Sequence, residues 1–168
     1  MDVEENFSDK EIKMNPKTDR PAIKIDAPVL LVITILFTVI LQRFAPLPFF
    51  PSLPSRIIGA ILFIGGLAMG MPAFRGMLKA KTSPNPHRPT NALVFEGTYR
   101  ITRNPMYLSM LMIYAGICTF FQNLWFIPFL PILAWLFTTW VIIPEEKYLE
   151  QKFGQEYLDF KSRVRRWI

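Results

Sequence analysis

Residues 124–143 read LWFIPFLPILAWLFTTWVII, a stretch of twenty residues with no charged side chain. As an α-helix this stretch can cross a hydrocarbon core of ~30 Å, because each residue adds ~1.5 Å along the axis. Three further apolar blocks lie at about residues 27–44, 56–74 and 105–121. Inside a bilayer every backbone polar group needs a partner, which helices supply within themselves. The sequence therefore predicts an all-α fold, a polytopic transmembrane helical bundle of about four spans.

The charged residues lie between these blocks. The chain has 168 residues, 51% of them hydrophobic, and a formal net charge of +6. Lys and Arg flank the apolar blocks and do not form a basic domain, which argues against nucleic acid and for the lipid bilayer as the partner. We expect a polar cytoplasmic arm, residues 1–26, followed by a single membrane domain over 27–168. The sequence does not reveal the oligomeric state.

The distribution of Lys and Arg predicts the orientation. The arm, the loop at 75–104 and the tail at 145–168 hold five, six and six of these residues, whereas the connection at 45–55 and its edges hold two, Arg43 and Arg56. Cytoplasmic loops carry the excess of positive charge in membrane proteins. We therefore expect a multi-pass integral-membrane protein with both termini in the cytoplasm. The membrane would be a bacterial or archaeal inner membrane, or that of the endoplasmic reticulum.

Metal and disulfide chemistry find little support in the composition. The chain has one cysteine, Cys118, inside an apolar block, and one histidine, His87, in a polar loop. A single cysteine cannot form a disulfide within the chain, and His87 has no nearby Cys, His or paired acids at ligand spacing. We predict no metal site.

The glycines of the second block predict close packing between helices. The second block carries four glycines that permit close approach of a neighbouring helix, Gly59, Gly65, Gly66 and Gly70. Pro144 is expected to end the fourth helix.

In the tail, apolar residues recur at helical spacing beside basic ones, and Gly154 is a candidate break; the apolar set is Leu149, Phe153, Tyr157, Phe160, Val164 and Trp167. This pattern predicts a C-terminal amphipathic interfacial helix on the membrane surface.

Charged residues before the third block and after the fourth predict a functional site. Only Gln122 and Asn123 separate the third block from the fourth, so these helices should be antiparallel neighbours with adjacent ends. Arg103 would then lie near Glu145 and Glu146, on the cytoplasmic side.

Such a site would hold a zwitterion. Arg103 precedes Pro105, a residue suited to start a helix, and free amides at a helix start combine with Arg to bind anions. Glu145 and Glu146, at what should be a helix C-terminus, are disfavoured there by the macrodipole, and they suit hydroxyls or an ammonium group. The structural alternative is an ordinary interfacial arginine and an ordinary helix end.

These residues resemble the isoprenylcysteine carboxyl methyltransferase and phospholipid N-methyltransferase superfamily of integral-membrane enzymes. The resemblance covers about residues 91–168 and rests on an ordered set of motifs: G-T-Y-R at Gly97–Arg100, R-N-P-M-Y at Arg103–Tyr107, E-E at Glu145–Glu146, F-G-Q-E-Y at Phe153–Tyr157 and R-V-R-R-W at Arg163–Trp167. Any one motif is weak, and their order around a helical hairpin is fairly specific.

The resemblance implies a methyltransferase that uses S-adenosyl-L-methionine and a lipophilic acceptor, such as an isoprenylcysteine-like carboxylate, another lipid or a thiol. Arg103 and Glu146 would be the catalytic residues, with Arg103 on the cofactor's carboxylate. Glu146, with Glu145 as the second choice, would bind ribose hydroxyls or the amino group. By motif position the cofactor-binding residues would be Tyr99, Arg100, Arg103, Asn104, Pro105, Tyr107, Glu145 and Glu146.

One position departs from the pattern. Many members have histidine where this chain has Asn104, and an amide cannot take a proton at neutral pH. A carboxylate or thiolate acceptor needs no base in the transfer step, whereas a protonated amine would need one, with Glu146 as the only obvious group. Two other functions stay open: a sterol-reductase-like NADPH enzyme and a non-enzymatic membrane partner on the same scaffold.

Overall fold

The computed structural model describes residues 19–47, 52–85 and 88–168. Its helical elements confirm the predicted all-α bundle. They are α1 (Ala27–Phe44), α2 (Ser52–Lys79), a 3₁₀ turn (Gly97–Arg100), α3 (Pro105–Phe120), α4 (Phe126–Leu136), a π-helical segment (Phe137–Ile142), α5 (Ile143–Phe153) and α6 (Gln155–Arg163). Most of the predicted arm (residues 1–18), part of the first connection (48–51) and the residue pair 86–87, with His87, lie outside the described residues.

Among the described residues, three helical runs are long and apolar enough to cross a membrane: α1, α2 and the continuous run Phe126–Phe153. The fourth apolar helix, α3, has 16 residues and rises ~24 Å, less than a full hydrocarbon core. It lies at the centre of the bundle and contacts α1, α2 and α4, with Tyr114 fully buried. The outer helices expose apolar side chains such as Ile33, Ile61 and Trp135, as lipid-facing surfaces do.

The second-block glycines pack against α3, as the sequence predicts. A Cβ built on Gly59 would lie 2.5 Å from the backbone nitrogen of Phe120, and one on Gly66 would lie 3.0 Å from the backbone oxygen of Ser109. The same holds for Gly116 of α3, where an added Cβ would lie 2.6 Å from the backbone nitrogen of Phe63 in α2. The helices are antiparallel, and small residues bring their backbones together.

The prediction that Pro144 ends the fourth helix is wrong, since helical backbone continues through it to Phe153. Proline cannot donate a hydrogen bond to the carbonyl of Trp140, four residues earlier. That carbonyl instead accepts from the backbone N–H of Lys24, at 3.3 Å, and the helix widens into the π-helical segment just before the proline. Glu145 and Glu146 therefore lie within a helical run and not at its C-terminus, so the macrodipole argument does not apply to them.

The tail differs from a single helix lying on the membrane surface. Gly154, with φ +53°, separates α5 from α6, and α6 ends at Arg163. Tyr157 and Phe160 are buried inside the protein, where Phe160 packs edge-on against Phe95. The last residues are extended and run back toward the start of α3, because hydrogen bonds to that segment hold them there.

The end of the predicted arm belongs to the folded domain. The carboxylate of Asp19 accepts hydrogen bonds from Tyr148 Oη and Lys152 Nζ, at 2.7 and 2.6 Å. The hydrogen bond from Lys152 lowers the pKa of Asp19. The ammonium group of Lys24 lies 5.8 Å above the ring centre of Trp140. Residues 19–26 thus lie against the α4–α5 run before α1 begins.

The glycine contacts predict a difference between two otherwise equal substitutions. Gly59→Ala would press a Cβ against the backbone of Phe120, which cannot move away. Gly65→Ala would meet only the flexible end of Met112, at 2.9 Å. We expect Gly59→Ala to cost about 1–3 kcal/mol of unfolding free energy, and Gly65→Ala much less. Thermal unfolding in detergent measures both; equal midpoints would contradict this packing.

Candidate active site

A cavity opens at the end of the bundle where α2 ends, α3 begins and α5 leaves the apolar region. Its volume is about 150 Å³. Its lining combines polar side chains, Tyr99, Arg103, Tyr107, Glu145 and Glu146, with apolar ones that include Met77, Leu93, Val94, Leu149 and Phe160. Mostly apolar walls with a few convergent polar groups are typical of small-molecule sites.

Arg103 enters this cavity because the chain turns into α3 directly after it. Pro105 occupies the first helical position, and the backbone N–H of Arg103 donates to the carbonyl of Arg165, at 3.0 Å. With its backbone held, the side chain reaches the carboxylate of Glu146, where Nη2 lies 3.2 Å from Oε1. Both side chains are only 7% exposed.

Glu146 is shared with a second arginine. Arg166 donates to both of its carboxylate oxygens, from Nε to Oε1 at 3.0 Å and from Nη2 to Oε2 at 2.7 Å. The hydrogen bond to Glu146 raises the pKa of Arg166. Two guanidinium groups around one carboxylate leave this cluster with one net positive charge when all three are ionised.

That positive charge has unused donors. Nε and Nη1 of Arg103 are buried and have no hydrogen-bond partner among the described residues. Buried donors without partners are uncommon in folded proteins because their desolvation is not compensated. An anionic group on a ligand would supply the missing acceptor at either atom.

A second acid lies beside the cluster. Tyr107 of α3 donates its hydroxyl hydrogen to Oε2 of Glu145, at 2.7 Å, and its ring packs 5.9 Å from that of Phe137. This hydrogen bond ties α3 to α5 across the cavity. Glu145 provides an acidic group next to the positive cluster, so the cavity holds both acidic and basic side chains.

The other residues predicted for the site differ in whether they line the cavity. Tyr99 and Pro105 line the cavity, and burial raises the pKa of Tyr99. Asn104 also borders it, but its side-chain amide donates to the carbonyl of Arg166, at 3.0 Å. Arg100 is exposed and is not part of the cavity wall. The structure thus brings together all the predicted site residues except Arg100.

Sequence reasoning missed the contribution of Arg166 and Tyr157. Both were assigned to a surface helix, yet Arg166 binds Glu146 and Tyr157 lines the cavity. The resemblance contained a signal for each residue, since F-G-Q-E-Y includes Tyr157 and R-V-R-R-W includes Arg166. No spacing rule could have paired Arg166 with an acid twenty positions earlier.

Comparisons with known proteins agree with the motifs. A sequence model of the phospholipid methyltransferase family matches residues 54–156, more than half of the chain. The protein-S-isoprenylcysteine O-methyltransferase B of Arabidopsis thaliana is 27% identical over 136 residues, which cover 74% of this chain and 66% of the plant protein. An uncharacterized protein of Haemophilus influenzae is 40% identical over 71 residues, 38% of this chain and the whole of that protein.

These matches confirm the superfamily resemblance seen in the motifs. Together with the three helices of the described segments that are long and apolar enough to cross a membrane, they indicate an integral-membrane member of a methyltransferase family. The chain belongs to the phospholipid methyltransferase family.

Proposed function

We propose that this protein transfers a methyl group from S-adenosyl-L-methionine to a lipophilic acceptor, with the cofactor in the cavity between α3 and α5. The observation that carries the proposal is the pair of buried, unpartnered nitrogens on Arg103. Arg103 lines a cavity that also holds carboxylates and apolar side chains. A ligand with a carboxylate, a positive centre and an aromatic ring system has a partner for each part there.

The charges of the cavity match the amino-acid end of the cofactor. Its carboxylate would accept from Arg103, and its positively charged groups would lie toward Glu145. Glu146 already bridges two arginines, so Glu145, held by one hydrogen bond from Tyr107, is the carboxylate with more room for a ligand. The adenosine would lie against the apolar wall.

The cofactor supplies an electrophilic methyl group on a sulfonium. In the transfer, the bond from methyl carbon to sulfur breaks as the bond to the acceptor forms, and a neutral thioether remains. The residues of this chain need only hold both reactants in line and keep water out. Asn104 cannot accept a proton, and its amide is engaged with the tail. We therefore favour a carboxylate or thiolate acceptor, which needs no base.

A route from the bilayer supports a lipophilic acceptor. Met106 and Met110 line the cavity and also a groove of about 490 Å³ between α2 and α3. Gly66 and Gly70 of α2 also line this groove. An apolar chain lying in this groove would point its reactive end at the cavity. The plant relative is named for a prenylated cysteine, and a prenylated carboxylate is one acceptor of the proposed kind.

We also propose that the cavity faces the cytoplasm. The described end of the arm, the segment before α3 and the tail all lie at the same end of the bundle, and most Lys and Arg belong to these segments. A C-terminal fluorescent-protein fusion should be fluorescent in cells, and a C-terminal alkaline phosphatase fusion should be inactive. The reverse pattern would contradict this orientation.

The cofactor assignment is tested by ligand binding to the purified full chain. Isothermal titration calorimetry in detergent should show binding of S-adenosylhomocysteine, the product of the transfer, and none of NADPH. Binding of NADPH alone would favour the reductase alternative. Silence toward both, in protein with a normal thermal transition, would point to a non-enzymatic partner.

Arg103 should dominate this binding. Arg103→Ala removes a charge-assisted hydrogen bond to the ligand carboxylate, worth about 1.5–3 kcal/mol, so affinity for S-adenosylhomocysteine should fall on the order of tenfold to a hundredfold. Arg100→Ala is the matched control, because the exposed Arg100 side chain lies outside the cavity wall. Equal losses in the two variants would show that the site is misplaced.

A further inference from the structure

The tail residue Arg166 lies at the centre of a hydrogen-bond network that joins the tail to α5 and to the segment before α3. Its guanidinium binds both oxygens of Glu146, at 3.0 and 2.7 Å. Its backbone carbonyl accepts two hydrogen bonds, from Thr102 Oγ1 at 2.9 Å and from Asn104 Nδ2 at 3.0 Å. The segment before α3 therefore fixes the backbone of this residue, while α5 fixes its side chain.

The contact between Arg166 and Glu146 determines which nitrogens of Arg103 have a partner. A carboxylate and an arginine left alone with each other prefer a two-point contact, which would consume two of the arginine's nitrogens. Here Arg166 takes the two-point contact with Glu146, and Arg103 reaches the same carboxylate through Nη2 alone. Nε and Nη1 of Arg103 stay buried without a partner in the described structure.

We propose that Arg166 is a positioning residue that keeps Arg103 available for the ligand carboxylate by occupying Glu146. This inference rests on the proposed function, since it assigns Arg166 a role at the same cofactor site. Arg166 acts through Glu146 and Arg103, and the tail thereby becomes part of the binding site.

The same network includes Asn104 and gives it a structural role. The carbonyl of Arg166 needs donors, and the amide of Asn104 supplies one beside the hydroxyl of Thr102. The hydroxyl oxygen of Thr102 in turn accepts from the backbone N–H of Asn104, at 3.2 Å. Asn104 thus holds the tail in the register that brings the Arg166 guanidinium to Glu146.

The inference predicts a loss that depends on the ligand. Without Arg166, Glu146 is free to take the two-point contact with Arg103, and one of the two donors meant for the ligand carboxylate is lost. Arg166→Ala should therefore weaken S-adenosylhomocysteine on the order of tenfold to a hundredfold. It should weaken 5′-methylthioadenosine by less than about threefold, within the scatter of such measurements, because this ligand has the adenosine and thioether but no carboxylate. Arg166→Lys, which keeps the charge but not the fork, should fall between the wild type and Arg166→Ala.

The experiment measures displacement of labelled S-adenosylhomocysteine from the full chain in detergent by each unlabelled ligand. Arg163→Ala is the control, since Arg163 is exposed at the end of α6 and its change in charge is the same. Equal losses for both ligands in Arg166→Ala, or wild-type affinities, would overturn the role of Arg166 while the wild-type binding still supports the proposed function. A wild-type protein that binds no S-adenosylhomocysteine would overturn both.

Discussion

The structure depends on one buried carboxylate, that of Glu146, held between two guanidinium groups. Removing an isolated charge from water costs several kcal/mol, about enough to consume much of a domain's stability, so such a carboxylate persists only with partners. Arg103 comes from the start of α3 and Arg166 from the extended tail, and both reach α5 at this point. Three parts of the chain that are distant in sequence therefore meet at one acid, and the cavity is the space beside it.

The membrane constrains how α5 can present that acid. A proline inside an apolar helix leaves a carbonyl without its donor, and hydrocarbon offers no replacement. The chain resolves this at Pro144 with the π-helical segment and with the N–H of Lys24, so that the helix continues and carries Glu145 and Glu146 past the apolar region. The end of the arm is thus a structural element, which its polar and mixed composition does not suggest.

The sequence predicts the bundle because hydrophobic blocks and glycine positions are local signals. It also predicts that Arg103 and the acidic pair are close, since a two-residue separation between apolar blocks forces their helices to be neighbours. The course of the helix through Pro144 could not be predicted, because it depends on a donor from Lys24 in another segment. The inward turn of the tail escaped for the same reason: the basic residues from Lys161 to Arg166 look alike in sequence, and only the buried partner of Arg166 distinguishes it.

The central claim is that the unpartnered donors of Arg103 bind the carboxylate of the cofactor. An experimental structure of the protein with S-adenosylhomocysteine bound tests it most directly. We expect the ligand carboxylate within hydrogen-bonding distance of Nε or Nη1 of Arg103, the amino group toward Glu145 and the two-point contact between Arg166 and Glu146 intact. A ligand bound elsewhere, or with its carboxylate away from Arg103, would contradict the account.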